Sequence, residues 1–243
     1  MSSVKPAAKL KGLINGGLNT LGYEVRRQHG LERAAWLREM NIETVLDVGA
    51  NVGQFAASIR KVLPEARIYA FEPVEACFEE LSRGNSGDRL FQGFPYALGD
   101  RDGSATINVN DFTPSSSVLP MARRHVAEFP FTAHSTGAEI QVRRLDTVVP
   151  GLELSGPMLV KLDVQGFESQ VIKGGRETLA AADVIITEVS FARFYVGQTS
   201  FEELYAELQG LGLRFHGILS QTHSTRNDLP LFCDALFIRA GKL

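Results

Sequence analysis

The chain has 243 residues, of which 44% are hydrophobic, and this suits one α/β domain or one domain with a small appendage. A formal net charge of −3 excludes a protein built as a whole to coat nucleic acid. Cys77 and Cys233 lie far apart and match no metal-binding or redox spacing, so we expect two free, buried thiols. The sequence shows no secretory signal and no apolar run of transmembrane length, and we therefore expect a cytoplasmic protein.

Residues 1–40 are predicted to form a basic helical extension, followed by a single catalytic domain over residues 41–243. Residues 1–38 carry seven basic and two acidic side chains, and leucines recur there at helical spacing. One interpretation is a helix that packs on the domain or frays at its glycines. The alternative is that residues 1–30 contact an anionic membrane surface as a basic amphipathic segment.

The remaining elements follow from the apolar pattern in chain order. Up to residue 109 we predict a helix over 31–40, then strands over 44–48, 67–71 and 104–109 and within 90–98, with helices over 53–62 and 74–81. Beyond it we predict strands over 140–145, 158–162, 184–187, 214–219 and 235–239, with helices over 167–179 and 201–208. Apolar runs without alternation indicate a parallel sheet covered by helices on both faces. A loop without a helix joins the last two strands and favours an antiparallel pair.

The first candidate site is a glycine turn between a buried strand and a helix. Gly49 and Gly53 would let the backbone approach a ligand, and the helix start would offer N–H groups. Glu72, followed by Pro73, ends the next apolar run and is placed to accept hydrogen bonds from a ribose diol. Asn51 stands where a dinucleotide motif has its middle glycine. The pattern predicts an adenosine-bearing cofactor, and the alternative is a purely structural turn.

The second candidate site surrounds the strand over 158–162. Lys161 and Asp163 share one side of that strand, and Asp163 follows its carboxyl end, where ligands bind in open α/β sheets. The alternative is a structural ion pair, with Asp163 or Glu168 capping the next helix. Glu188 follows the strand over 184–187, so four acids are expected on one rim. They are Asp47, Glu72, Asp163 and Glu188.

Histidines and a polar segment complete the candidates. His125 and His223 are placed in predicted loops above the sheet, and imidazole suits a proton acceptor at neutral pH. Residues 110–138 mix aromatic, serine and arginine side chains, and they are predicted to form a substrate lid. The alternative is an ordinary insertion packed on the sheet edge.

Taken together and in order, these motifs are specific. They occupy residues 46–55, 71–73, 97–100 with Gly103, 115–117, 144–146, 161–168 and 171–174, and end at Glu188. From about residue 44 to residue 239 the chain resembles the FkbM-type methyltransferases. The resemblance implies a Rossmann-like seven-stranded class I methyltransferase sheet, mostly parallel with an antiparallel last strand and helices on both faces. It also implies S-adenosyl-L-methionine as the cofactor.

The resemblance further implies roles for individual residues. Gly49, Asn51 and Gly53 would line the methionine portion of the cofactor, Glu72 would hold the ribose, and Tyr96 and Ala97 would lie near the adenine. The predicted cofactor site also includes Asp47, Gln54, Phe55, Pro73 and Asp163. Two positions depart from the family pattern: Gln165 stands where the family usually has glutamate, and Tyr96 where asparagine is common.

The expected activity is O-methylation of a hydroxyl on a sugar, glycan precursor or secondary metabolite, as in polysaccharide biosynthesis. We expect Asp163 to be the base, with Lys161 and Glu188 shaping its environment and His125 or His223 as the alternative base. The acceptor would be a small molecule or saccharide, with no nucleic acid, and no spacing indicates a metal site. The alternatives are a Rossmann-type nucleotide-sugar oxidoreductase and a non-catalytic nucleotide-binding module.

Overall fold

The computed structural model describes Ala34 and residues 36–242. The proposed extension over residues 1–40 lies almost entirely outside the described residues, so its helical character stays a prediction. No helix in the described part of the chain is long and apolar enough to cross a membrane. Both cysteines are free and buried, which confirms the expectation for the thiols.

In the part of the chain that the structure describes, ten strands form two sheets. In chain order they are β1 (Thr44–Val48), β2 (Arg67–Phe71), β3 (Phe91–Phe94), β4 (Ala97–Leu98), β5 (Gly103–Asn110), β6 (Ser135–Arg143), β7 (Met158–Leu162), β8 (Val184–Ser190), β9 (Leu213–His223) and β10 (Pro230–Arg239). The central sheet has seven strands in the order β3-β2-β1-β7-β8-β10-β9, and the smaller sheet has the order β4-β6-β5. β10 is antiparallel to both β8 and β9, while the other central pairs are parallel. The predicted fold class, with its antiparallel last strand, is confirmed.

Helices cover both faces of the central sheet. They are α1 (Trp36–Glu39), α2 (Gln54–Val62), α3 (Glu75–Gly84), α4 (Arg123–Glu128), α5 (Leu145–Val148), α6 (Glu168–Gly174), α7 (Arg176–Ala181) and α8 (Phe201–Gly210). Neighbouring residues of β1 belong to different cores, because successive side chains of a strand point to opposite faces. Val45 packs in one core with Ile59 of α2, and Leu46 packs in the other with Leu208 of α8. Burial on both faces explains why the strands lack polar alternation.

Two predicted elements are divided in the structure. The strand expected within residues 90–98 becomes β3 in the central sheet and β4 in the smaller one, and Pro95, which has no N–H to donate, lies between them. The helix expected over 167–179 becomes α6 and α7, interrupted at Gly175, where a Cβ would press against Leu145. The backbone of Gly175, with φ −124° and ψ 25°, leaves the helical conformation there, and the close approach of α5 leaves room only for a glycine.

Three candidate residues lie in other elements than expected: His125 belongs to α4 rather than to a loop, and two strands that are longer than predicted include Glu188 and His223. Glu188 lies inside β8 rather than after it, and His223 is the last residue of β9 rather than part of a loop. The extra length comes from antiparallel pairing with β10, which continues β8 to Ser190 and β9 to His223. A local apolar pattern does not reveal such pairing, because the added ends of β8 and β9 contain polar residues.

Candidate active site

A cavity of about 600 Å³ opens at the carboxyl ends of β1, β2, β7 and β8. Ligand sites of open α/β sheets lie at this edge. Eight of the predicted cofactor residues line the cavity: Gly49, Asn51, Gln54, Phe55, Glu72, Pro73, Ala97 and Asp163. Asp47, Gly53 and Tyr96 do not line it. The sheet therefore brings most of the predicted set together around one space.

The glycine turn after β1 serves packing as well as ligand approach. Gly49 has φ +80°, and a Cβ there would overlap the carbonyl oxygen of Asp163. Gly53 has φ +93°, and a Cβ there would lie 2.9 Å from the Leu81 side chain. The N–H groups of Gly49 and Ala50 both donate to the Phe71 carbonyl, at 3.0 and 3.1 Å. These two amides are therefore engaged within the protein, whereas the N–H groups expected at the helix start belong to α2 and stay a prediction.

Glu72 follows β2 and is 5% exposed. One carboxylate oxygen accepts from the Asn51 amide and the other from the Val74 amide, each at 2.8 Å. Burial raises the pKa of Glu72 to about 6, although the two backbone hydrogen bonds oppose the change. Each carboxylate oxygen keeps a further lone pair. The side chain is thus fixed by the backbone and can still accept two hydrogen bonds from a diol.

Tyr96 and Ala97, the two residues predicted to lie near the adenine, have different surroundings in the structure. Ala97 lines the cavity, whereas Tyr96 packs beside it in the core, with its ring 5.9 Å from Phe71 and 5.6 Å from Phe94. Leu98, which belongs to the motif over residues 97–100, and Ile107, which no motif includes, extend this apolar wall. Their contribution follows from the fold of the smaller sheet, which the sequence did not predict as a separate unit.

A buried ion-pair network lies beneath the cavity. The Lys161 ammonium is 3.6 Å from a carboxylate oxygen of Asp47 and 3.2 Å from one of Asp163, and its side chain is 14% exposed. Asp47 is fully buried, and neither of its carboxylate oxygens has a hydrogen-bond partner. Burial raises the pKa of Asp47 against the opposing effect of Lys161. Burial alone would lower the pKa of Lys161, but Asp163 and Asp47 raise it above its usual value.

The second oxygen of Asp163 is held by Gln165. The Gln165 amide nitrogen donates to Asp163 at 2.8 Å and to Glu188 at 3.4 Å, and its amide oxygen accepts from the Tyr195 hydroxyl at 2.9 Å. Gln165 has φ +55°, a left-handed conformation that the tight turn after β7 imposes. With Lys161 on the other oxygen, the Asp163 carboxylate is fixed in orientation and remains at the cavity wall.

Asp234 is a cavity residue that the sequence analysis missed. It lies directly opposite Glu188 in the antiparallel pairing of β10 and β8, and both side chains line the cavity. Burial raises the pKa of Glu188 well above its usual value, with Asp163 adding to the shift, and burial also raises the pKa of Asp234. The only signal in the sequence is an acid within an apolar strand, and its partner is set by long-range register.

Glu168 has a structural role, as one alternative for this block anticipated. It is 4% exposed, and one carboxylate oxygen accepts from the amides of Val164 and Gly166, each at 3.1 Å. Burial raises the pKa of Glu168 to about 7. The side chain closes the turn that leads from β7 into α6.

The two histidine candidates lie in different places. His125 is 5% exposed and lines the cavity, with its ring 5.2–5.5 Å from those of Tyr195, Phe194 and Phe129. Neither ring nitrogen has a hydrogen-bond partner, and burial lowers the pKa of His125, so the imidazole is neutral. His223 is exposed at the end of β9 and is not a cavity residue. Within the described residues, no group of three His, Cys, Asp or Glu side chains is arranged to hold a metal ion.

Comparison with known proteins identifies the family to which this chain belongs. The profile described as "Methyltransferase FkbM domain" matches residues 47–215. The 2-O-methyltransferase NoeI of Sinorhizobium fredii is 32% identical over 167 residues, which cover 63% of this chain and 66% of that protein. The hexuronic acid methyltransferase AglP of Haloferax volcanii is 30% identical over 156 residues, which cover 63% of this chain and 59% of that protein. The chain thus spans less than two thirds of the length of these relatives.

A solved structure of magnesium protoporphyrin IX methyltransferase from Synechocystis, with bound cofactor, overlaps 99% of this chain and 100% of that one. The TM-score is 0.44 and the identity 11%, values too low to carry an argument. The family assignment therefore rests on the profile, which spans most of the described domain. By that match the chain belongs to the FkbM methyltransferase family, whose cofactor is S-adenosylmethionine.

Proposed function

We propose that the protein transfers a methyl group from S-adenosylmethionine to a hydroxyl of a sugar, glycan precursor or secondary metabolite. One observation carries the proposal: a single cavity joins the diol-accepting Glu72 to the oriented carboxylate of Asp163. Two relatives named for 2-O-methyl transfer and for hexuronic acid methylation support it. The antiparallel final strand and the family match disfavour a nucleotide-sugar oxidoreductase.

The residues present fit the cofactor. Glu72 can accept hydrogen bonds from the two ribose hydroxyls, and Ala97 and Leu98 form an apolar wall for the adenine. Gly49 and Asn51 also line the cavity, and there the methionine portion of the cofactor would bind. S-adenosylmethionine supplies an activated methyl group, so the protein's main task is to align the acceptor.

Asp163 is the proposed base. An acceptor hydroxyl beside it would pass its proton to the carboxylate as the hydroxyl oxygen forms its bond to the methyl carbon, whose bond to the sulfur of the cofactor would break. Lys161 and Gln165 orient the two carboxylate oxygens, and they act on the acceptor only through Asp163. His125 is the alternative base, because its neutral imidazole lines the same cavity.

Residues 110–138 are proposed to cover the substrate. The part of this segment between β5 and β6 comprises residues 111–134, and its Thr113, Ser115 and Phe129 line the cavity. The segment is fixed at one end by the Asn51 side chain, which accepts from the Thr113 hydroxyl at 3.3 Å. Movement of this segment would admit the acceptor to a cavity that the sheet holds rigid.

Titration calorimetry with S-adenosylhomocysteine tests the cofactor, and release of S-adenosylhomocysteine from S-adenosylmethionine in the presence of hydroxyl acceptors tests turnover. Absence of cofactor binding refutes the proposal. Binding without turnover on any sugar or metabolite hydroxyl would favour the non-catalytic module. The cytoplasmic location and the membrane contact of residues 1–30 stay predictions, and co-sedimentation with anionic vesicles tests the second.

A further inference from the structure

We propose that Glu188 and Asp234 bind an ammonium group of the acceptor, so that the substrate is an amine-bearing hydroxyl compound such as an amino sugar. The proposal rests on the proposed function and names the substrate class of the same cavity. It assigns the two carboxylates to acceptor recognition, apart from the cofactor and from the base.

The two carboxylates face each other across neighbouring strands. Asp234 of β10 and Glu188 of β8 are directly paired, and both line the cavity. Side chains paired in this way have Cβ atoms about 5 Å apart, and like charges at such a position are destabilising. An arrangement that costs stability at the wall of a cavity is typical of a binding site for the opposite charge.

Neither carboxylate has a cationic partner within the described residues. Glu188 accepts only the 3.4 Å hydrogen bond from Gln165, and Asp234 accepts from the Ser220 hydroxyl. The nearby ammonium of Lys161 forms its ion pairs with Asp47 and Asp163 instead. Partly buried carboxylates without a direct ion pair favour uptake of a proton or of a cation. Burial raises the pKa of both groups, and for Asp234 the charge of Lys161 only partly opposes this change.

Two further features of the cavity that Glu188 and Asp234 line point to a ligand there. His125 is 5% exposed and lines the cavity, yet neither of its ring nitrogens has a protein partner. Phe112 and Phe131 are 47% and 62% exposed and stand edge to face, 5.3 Å apart, at the cavity mouth. The imidazole can bond a hydroxyl, and the exposed rings can pack on a sugar face or an ammonium group.

The cofactor does not account for the pair. Glu72 follows β2, whereas Asp234 belongs to β10, four strand spacings away, which is about 19 Å at the usual separation. Asp163 follows β7, between them, so Glu188 and Asp234 lie on the acceptor side of the proposed base.

The charge of the cavity also disfavours an acidic acceptor. Its described lining contains the carboxylates of Glu72, Asp163, Glu188 and Asp234 against the single ammonium of Lys161. The exposed Arg123 and Arg124 do not line it. The relative AglP is named for a hexuronic acid, which carries a carboxylate, and we expect this chain to reject that class of substrate.

The test compares three matched probes: the methyl glycosides of glucosamine, glucose and glucuronic acid. Each is titrated by NMR into the protein loaded with S-adenosylhomocysteine. We expect the glucosaminide to bind about tenfold or more tightly than the glucoside, as for a charge-assisted hydrogen bond, and the glucuronide to bind most weakly. The variants Glu188→Gln and Asp234→Asn should remove the preference, and Glu202→Gln, at an exposed acid on α8, should retain it.

Affinity for S-adenosylhomocysteine separates this proposal from the proposed function. The two variants should retain it, because the pair does not contact the cofactor. Equal binding of the three probes, preference for the glucuronide, or no binding of any probe by the loaded protein overturns the inference. A loss of S-adenosylhomocysteine affinity in Glu188→Gln and Asp234→Asn would also overturn it, since the pair would then hold the ammonium group of the cofactor. Failure of the unmodified protein to bind S-adenosylhomocysteine refutes the proposed function itself.

Discussion

Replacing Lys161 by methionine tests whether the buried network stabilises the fold. Methionine keeps the apolar length of the side chain and removes the charge that faces Asp47, whose carboxylate is fully buried without a hydrogen bond. At the observed 3.6 Å, the attraction is about 4–5 kcal/mol for an effective dielectric constant of about 20. Breaking a buried pair by removing one partner costs about 3–5 kcal/mol. We expect a loss of stability in that range.

The loss should depend on pH. Without Lys161 the raised pKa of Asp47 rises further, because burial already favours its neutral form. Folding of the variant then requires a proton on Asp47 that the unfolded chain releases above about pH 4. The stability deficit should therefore be smallest at acid pH, where Asp47 is protonated in both folded proteins. It should grow by up to about 1.4 kcal/mol per pH unit above the raised pKa that Asp47 has in the unmodified protein.

Urea denaturation at pH 5 and pH 8 provides the measurement. Four proteins complete a double-mutant cycle: the unmodified chain, Lys161→Met, Asp47→Asn and the double variant. Lys173→Met, at an exposed lysine of α6, is the matched control and should change stability by less than about 0.5 kcal/mol. The reasoning fails if Lys161→Met loses less than about 1 kcal/mol, or if it loses as much when Asp47 is already asparagine.

Three further predictions concern the cavity. Affinity for S-adenosylhomocysteine should fall about tenfold from pH 7 to pH 5 as Glu72, with its pKa of about 6, is protonated. Calorimetry of Glu72→Gln should show no such pH dependence. The control Glu79→Gln should behave like the unmodified protein. Asp163→Asn should abolish methyl transfer yet retain fold and cofactor affinity, and an active variant would move the base elsewhere. Gly49→Ala should cost at least about 3 kcal/mol in urea denaturation, because it adds a backbone overlap to a left-handed φ, whereas Gly87→Ala, in open space, should be nearly neutral.

The central sheet could be predicted because its signals are local. The strands expected over 44–48, 67–71 and 158–162 occupy those residues in the structure, since each is a continuous buried run between polar or turn-forming residues. The antiparallel last strand followed from the length of one connection. The carboxyl ends of β1, β2 and β7 then placed Glu72 and Asp163 at the same edge without any knowledge of side-chain contacts.

The other half of the cavity depends on register between distant segments. Asp234 faces Glu188 only because β10 pairs with β8 in one alignment, and a slip of a single residue would turn it to the opposite face. The position of His125 likewise depends on aromatic packing against Phe194 and Tyr195, which lie some 70 residues further along the chain. Sequence spacing alone carries neither fact, so it named Glu188 and His125 as candidates but could not reveal Asp234 or the contacts around the imidazole.

The acids that the sequence predicted at one rim of the sheet lie at two depths, and we expect them to have different roles. Asp47 is fully buried and reaches the cavity only through Lys161, which in turn contacts Asp163 at the surface of the cavity. A substitution at Asp47 should therefore act first on stability and on the orientation of Lys161, and one at Asp163 should act first on turnover. If Asp47→Asn reduced methyl transfer as strongly as Asp163→Asn with unchanged stability, the inner carboxylate would be part of the chemistry rather than its support.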